Sequence, residues 1–320
     1  MIRRERDRGR GPLDDGVVLA ASARHAVVLA KDGAVRCRFR SELFREEGPF
    51  SRPVAAGDRV RISRAERSEP IVEEVLPRRS WISRTSLAKN REQIIVANPA
   101  RLIAVVSAAE PEFKPRLLDR LIATAERASV PAVVVINKID LVPDRAPFDD
   151  WSALYRGIGY ATVLASTRTG EGIPELRAAL GPGITVVAGQ SGVGKSSLLS
   201  AIVPELDLAS APVIERTGKG QHTTTAVTLH PFGEGAFLAD SPGVRSFALV
   251  EPAGPDVGMR FRDFVPFIDA CKFRNCLHLE EPECAVRDAV ARGEIDRRRY
   301  ESYQRIIRGD LSDVPQDESE

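Results

Sequence analysis

The densest chemistry in the sequence lies at Gly189-Gln190-Ser191-Gly192-Val193-Gly194-Lys195-Ser196, which fits G-x-x-x-x-G-K-[ST] directly after the apolar run Ile184 to Ala188. Glycines in such a loop let backbone N–H groups curl around phosphate oxygens where a Cβ would stand in the way. Lys195 would reach the β- and γ-phosphates, and the Ser196 hydroxyl would hold Mg²⁺. Further on, Asp240-Ser241-Pro242-Gly243 follows the strand-like Ala236 to Ala239. A carboxylate at a strand end can hold Mg²⁺ through water, and the Gly243 N–H would face the γ-phosphate. Alone, that tetrapeptide is ordinary turn chemistry; its weight comes from the phosphate loop.

Base selection falls to Asn137-Lys138-Ile139-Asp140, at the end of the apolar run Ala132 to Ile136. The Asp140 carboxylate can accept hydrogen bonds from N1–H and the 2-amino group of guanine, and adenine offers neither. After another strand-like run, Ser166-Thr167-Arg168-Thr169-Gly170-Glu171-Gly172 would close the base pocket with backbone N–H groups. A separate cluster, Cys271, Cys276, His278 and Cys284, reads C-x4-C-x-H-x5-C. Three thiolates and one imidazole suit a closed tetrahedral Zn²⁺ site of structural role. Cys37 stands alone in a β run and reads as a small buried hydrophobe.

Three kinds of element must position these residues. Between Asp15 and Arg79, the runs Gly16 to Leu19, Ala26 to Leu29, Ala34 to Phe39, Arg59 to Ile62 and Ile71 to Val75 alternate with polar turns. Five short strands without a helical period predict a small closed barrel of the OB-fold kind. From Arg101 the pattern changes. Leu102 to Val106 and Ala132 to Ile136 are continuous apolar runs, as strands covered on both faces require. Between them Leu117, Leu118, Leu121, Ile122 and Ala125 form one helix face. Further strands are predicted at Thr162 to Ala165, Ile184 to Ala188 and Ala236 to Ala239, with helices near Asp149 to Arg156, Pro174 to Leu180 and Lys195 to Ile202. After the cysteines a charged helical stretch runs from Ala285 to Ile307. Its Arg292, Arg297, Arg298, Arg299, Arg305 and Arg308, with Tyr300 and Tyr303, read either as a grip on an RNA backbone or as a solvated face diluted by Glu294, Asp296 and Glu301.

The domain reading is a basic disordered tail over 1–14, a barrel over 15–83, a permuted nucleotide domain over 84–250, a zinc-binding α-helical domain over 251–308 and an acidic tail over 309–320. In most guanine-nucleotide switches the phosphate loop precedes the base motif, whereas here Asn137 to Asp140 comes first and Asp240 to Gly243 last. The order therefore reads as a circular permutation, which leaves a pocket intact when strand neighbours are kept. The permutation also runs the chain from Gly243 straight into the C-terminal region, so nucleotide state could move that region directly.

Composition is that of an ordinary globular protein: 320 residues, net charge +1, 43% hydrophobic and 28% charged. No apolar run is long enough for a membrane-spanning helix. The arginine-rich start followed by Val17 to Ala23 imitates an export signal, but Asp14 and Asp15 interrupt it and the alternation resumes at Ala26. The expectation is a cytoplasmic protein in a reducing compartment.

Taken together, the barrel, N-K-x-D ahead of G-Q-S-G-V-G-K-S, the segment Gly220-Gln221-His222-Thr223-Thr224-Thr225 and C-x4-C-x-H-x5-C closely resemble the RsgA/YjeQ family of small-ribosomal-subunit biogenesis GTPases, over Asp15 to Ile307. The resemblance implies an N-terminal OB-fold, a central circularly permuted α/β P-loop GTPase domain and a C-terminal zinc domain. It also implies GTP hydrolysis to GDP stimulated by the small ribosomal subunit late in its maturation, with rRNA gripped by the barrel and zinc domain and no membrane partner. The chain is expected to be a monomer. Carried onto this sequence, the nucleotide residues are Asn137, Lys138, Ile139, Asp140, Ser166, Gly189, Gln190, Ser191, Gly192, Val193, Gly194, Lys195, Ser196, Ser197, Asp240 and Gly243. Lys195, His222 and Thr225 are the expected catalytic residues, although spacing alone does not choose between Thr224 and Thr225 for the Mg²⁺ shell. Thr167 departs from the alanine usual in such GTPases. Val244 stands where Ras-like switches carry a water-orienting glutamine, so intrinsic turnover is expected to be slow, with His222 either positioning water once the subunit orders its loop or merely packing in the switch. Two other readings stay open: an RNA-binding module using GTP/GDP only as a conformational switch, and an ATP-using zinc protein acting on DNA.

Overall fold

The computed structural model describes residues 13–44, 50–64, 68–86, 91–205, 227–240, 255–310 and 312. His222, Thr224, Thr225, Gly243 and Val244 lie outside the described residues, as do most of the two terminal segments. The described residues up to Pro99, together with 227–240, form one compact unit, and those of 100–205 and from 255 onward form another.

In the first unit, β1 (Leu13–Ala21), β2 (His25–Ala30), β3 (Gly33–Phe39), β4 (Arg59–Ser63) and β5 (Ile71–Val75) follow the order β1-β2-β3-β5-β4, and β4 returns to β1. Closure uses two stretches of β1: Leu13 to Val17 pairs with β4, while Val17 to Ala21 pairs with β2. Bulges between Val18 and Ala20 and between Arg61 and Ile62 add the local twist that a small barrel needs. Val18, Ala26, Val28, Cys37, Val60, Ile62 and Val72 fill its interior, so the alternation in sequence is the inside–outside alternation of the barrel wall. The fully buried Asp58 is held by Arg78, whose Nε and Nη2 donate to its two oxygens at 2.6 and 2.8 Å. A hairpin of β6 (Trp81–Ser86) and β7 (Arg91–Ala97), absent from the sequence-based expectation, follows.

The second unit alternates strand and helix: β8 (Pro99–Ser107), α1 (Pro115–Arg127), β9 (Ala132–Asn137), α2 (Ala146–Gly157), β10 (Ala161–Ala165), α3 (Ile173–Ala179), β11 (Gly183–Ala188) and α4 (Lys195–Ile202). The sheet order is β10-β9-β8-β11, with β9 parallel to both β8 and β10 and buried at every residue. Register places Ser107, Asn137 and Ala165 side by side at the carboxyl ends of three strands, the edge where open α/β sheets bind ligands.

Later in the chain, β12 (Thr228–Gly233) and β13 (Ala236–Asp240) form an antiparallel hairpin in the first unit, with Thr228 opposite Ala20 of β1. A 3₁₀ turn (Pro255–Arg260), α5 (Val265–Ile268), α6 (Ala285–Ala291) and α7 (Arg297–Ile307) complete the second unit. The helical stretch expected over Ala285 to Ile307 is in fact two helices, because Gly293 takes a φ of 76° and Asp296 starts a new helix by accepting from the Arg298 N–H at 2.8 Å. This C-terminal region covers the outer side of α1, so Leu117 to Ala125 is buried without a break, Asp119 and Arg120 included. Among the described residues no helix is long and apolar enough to cross a membrane.

Candidate functional site

The phosphate-loop sequence forms the turn between β11 and α4. Gly194 has a φ of 91°, and a Cβ there would collide with the Asn137 side-chain amide, so this position needs glycine for both backbone and space. A Cβ on Gly189 would run into the Val105 carbonyl of β8. Lys195 turns back over the loop, its Nζ donating to the carbonyls of Gly189 and Gln190 at 2.8 and 2.7 Å. Ser191, Ser196 and Ser197 are exposed, while Val193 is buried beneath.

The base motif meets this loop directly. Asn137, almost completely buried, donates from Nδ2 to the Val193 carbonyl at 2.8 Å. Its Oδ1 is buried with no partner among the described residues, an acceptor of the kind that a ligand donor satisfies. Lys138 adopts a left-handed backbone (φ 61°) and its ammonium donates to the Glu110 carbonyl. Ile139 is buried. The Asp140 carboxyl is held below its usual range by the Ser166 hydroxyl and by Arg168, whose Nε lies 2.7 Å from Oδ2. The loop after β10 is fixed around that contact: Thr169 N–H donates to Ser166 Oγ at 3.1 Å, and Ser166 N–H to the Glu171 carbonyl at 2.9 Å. Thus Asn137, Lys138, Asp140, Ser166 and Gly189 to Ser196, far apart in sequence, gather in the second unit. Asp240 ends β13 in the first unit. Arg168, whose contact with Asp140 was not foreseen, had only its place in the loop as a signal.

The four metal-type residues also converge, their ligand atoms all within 4.8 Å of one another. Cys271 Sγ and Cys284 Sγ each lie 3.5 Å from His278 Nδ1, and 3.9 Å from each other. A tetrahedral ion with ordinary Zn–S and Zn–N bonds requires about 3.6 Å for S···N and about 3.8 Å for S···S, so the donor set fits such an ion. Burial pushes the Cys276 thiol up to about 12, which makes a bound cation the natural source of its thiolate.

The knuckle carrying His278 is braced from two sides. Glu281 accepts from the backbone N–H groups of Leu277, Leu279 and Glu280 at 2.7, 2.9 and 3.1 Å. From α7, the Tyr303 hydroxyl donates to the Leu277 carbonyl at 2.6 Å and that of Tyr300 to the His278 carbonyl at 2.7 Å. These tyrosines therefore pack inward rather than lining a surface. Just before Tyr300 in α7, Arg299 is 1% exposed and binds Asp263 through two bonds of 3.2 and 3.0 Å, and Asp119 of α1. Burial opposes its charge, but Asp119 and Asp263 outweigh that and raise it well above its ordinary value. Of the basic residues in this stretch, Arg292, Arg297, Arg305 and Arg308 remain toward the surface. Glu281 was not singled out from the sequence, where a glutamate beside a proline carries no signal of its own.

Comparison with known proteins agrees with this geometry. The family model for the RsgA GTPase matches residues 75–250. The chain is 38% identical over 310 residues to the small ribosomal subunit biogenesis GTPase RsgA of Shewanella oneidensis, covering 94% of this chain and 85% of that one. Among solved structures it is similar to YjeQ from Thermotoga maritima (TM-score 0.74, 30% identity, 94% of this chain and 99% of that one). A second, YloQ, described as a circularly permuted GTPase, superposes with a TM-score of 0.71 at 28% identity, over 97% of this chain and 99% of the other.

Proposed function

The chain belongs to the RsgA GTPase family, and from that premise we propose that it hydrolyses GTP to GDP and phosphate on the small ribosomal subunit, late in that subunit's assembly. The observation that carries the nucleotide reading is the Asn137 Nδ2 to Val193 carbonyl bond, which ties the base motif to the phosphate loop in one pocket. In that pocket Asp140, oriented by Ser166, accepts the guanine N1–H and 2-amino group, with Asn137, Lys138 and Ile139 forming the rest of the base wall. Gly189 to Ser197 supplies N–H donors to the phosphates, and Lys195 offsets their charge. Ser196 would hold Mg²⁺, and the family resemblance carries over Asp240, one of Thr224 and Thr225, and Gly243 as the further Mg²⁺ and γ-phosphate residues. Bound Mg²⁺ neutralises charge developing on the phosphate oxygens.

His222 positions the attacking water in place of the glutamine that Val244 replaces. Cys271, Cys276, His278 and Cys284 hold a structural Zn²⁺, supported by sulfur and nitrogen spacings that suit a tetrahedron. The protein acts as a cytoplasmic monomer whose barrel and C-terminal domain contact rRNA. The test is GTP turnover with and without purified small subunits, for the unaltered chain and for His222→Ala. Strong stimulation that His222→Ala abolishes, with GDP affinity kept, supports the reading. Turnover indifferent to subunits would favour an RNA-binding module in which nucleotide only sets conformation.

A further inference from the structure

The loop between β8 and α1 touches both the base motif and the phosphate loop. The Glu110 carbonyl accepts from Lys138 of the base motif, and Pro111 lies against Gly192 of the phosphate loop, 3.6 Å from where a Cβ on that glycine would stand. Two residues on, Phe113 packs on Phe148 and Trp151 of α2, with ring centroids 5.4 and 5.6 Å away. The Arg298 guanidinium of α7 covers the Trp151 ring at 4.3 Å. The next residue, Arg299, is locked into α1 through Asp119, and the residues beyond it, Tyr300 and Tyr303, hold the carbonyls of His278 and Leu277.

We propose that guanine nucleotide binding and metal binding are thermodynamically linked through this loop, α2 and α7, each ligand strengthening the other. The physical ground is that α7 cannot shift on α1 without leaving buried charges on Arg299, Asp119 and Asp263 uncompensated. α7 and α1 are therefore held to each other, and the contacts of Arg298, Trp151 and Phe113 extend that hold to the loop at 110–113. A metal that fixes the knuckle fixes α7, and through Arg298, Trp151 and Phe113 it fixes the wall against which Gly192 and Lys138 rest. Linkage between two ligands is reciprocal, so the factor by which metal tightens nucleotide equals the factor by which nucleotide tightens metal.

The inference rests on the proposed nucleotide pocket, and the experiment separates the two. With the full-length chain, GDP affinity is measured in the zinc-loaded and zinc-stripped forms, and zinc affinity is measured by competition with a chromophoric chelator with and without GDP. The expected result is a shift of about fivefold or more, equal in both directions. In Trp151→Leu, which removes the stacked ring but no ligand-contacting residue, both ligands still bind and the shift falls toward one. GDP affinity independent of zinc, or a Trp151→Leu protein that keeps the full shift, overturns the proposal. Failure of the zinc-loaded chain to bind GDP at all would instead overturn the pocket.

Discussion

At the phosphate loop, Ser191 and Ser196 stand exposed and Lys195 rests on carbonyls of its own turn, whereas at the cysteine knuckle Cys276, His278 and Cys284 are buried and both faces of the backbone are braced by Glu281, Tyr300 and Tyr303. The first arrangement suits a ligand that must come and go, because its donors lie at a strand–helix turn open to solvent. The second suits a resident ion, since three of its four ligand residues are buried away from solvent. The two sites share one compact unit, and α1 lies between the strands that build one and the helix that braces the other.

Substitutions along that span separate the two plans. The largest effect is expected at Arg299→Ala, which leaves Asp119 and Asp263 buried without their counter-charge and should cost about 3–5 kcal/mol in denaturant unfolding. A loss below 1 kcal/mol would mean that α1 and α7 are held by apolar packing alone. Next comes Gly194→Ala, where a left-handed backbone and a collision with the Asn137 amide combine. Strain of about 1–3 kcal/mol should appear chiefly as weaker GDP binding, by roughly tenfold, in a titration that leaves zinc content unchanged. The smallest is Arg145→Ala. Its ion pair with Glu171 has both side chains more than a third exposed, so stability should stay within about 0.5 kcal/mol.

Much of the proposed nucleotide site was legible because its parts are local. A phosphate loop is eight consecutive residues, and the glycines at 189, 192 and 194 announce a backbone that only glycine accepts with ease. The barrel strands were readable from alternation, and β8 and β9 from unbroken apolar runs. The hairpin β6–β7 was missed because Arg84, Glu92 and Gln93 break the apolar pattern of both strands. The bracing of the knuckle was hidden for a different reason. Tyr300, Tyr303 and Arg299 sit in a run so charged that it reads as a solvated face, and only the three-dimensional pairing with Asp119, 180 residues earlier, shows that one of its arginines is interior. Likewise the helix periodicity of α1 disclosed the face against the sheet but not the burial of Asp119 and Arg120 under the C-terminal region.

The central claim is that Asp140 and the phosphate loop form one guanine-selective pocket, and an exchange of base preference tests it most directly. Asp140→Asn replaces an acceptor by a donor, which no longer suits the guanine 2-amino group but suits the 2-carbonyl of xanthine. Binding of GDP and xanthosine diphosphate to the two proteins should show GDP weakened by about a hundredfold or more and the xanthine nucleotide strengthened. A variant that kept its preference for GDP would contradict the account.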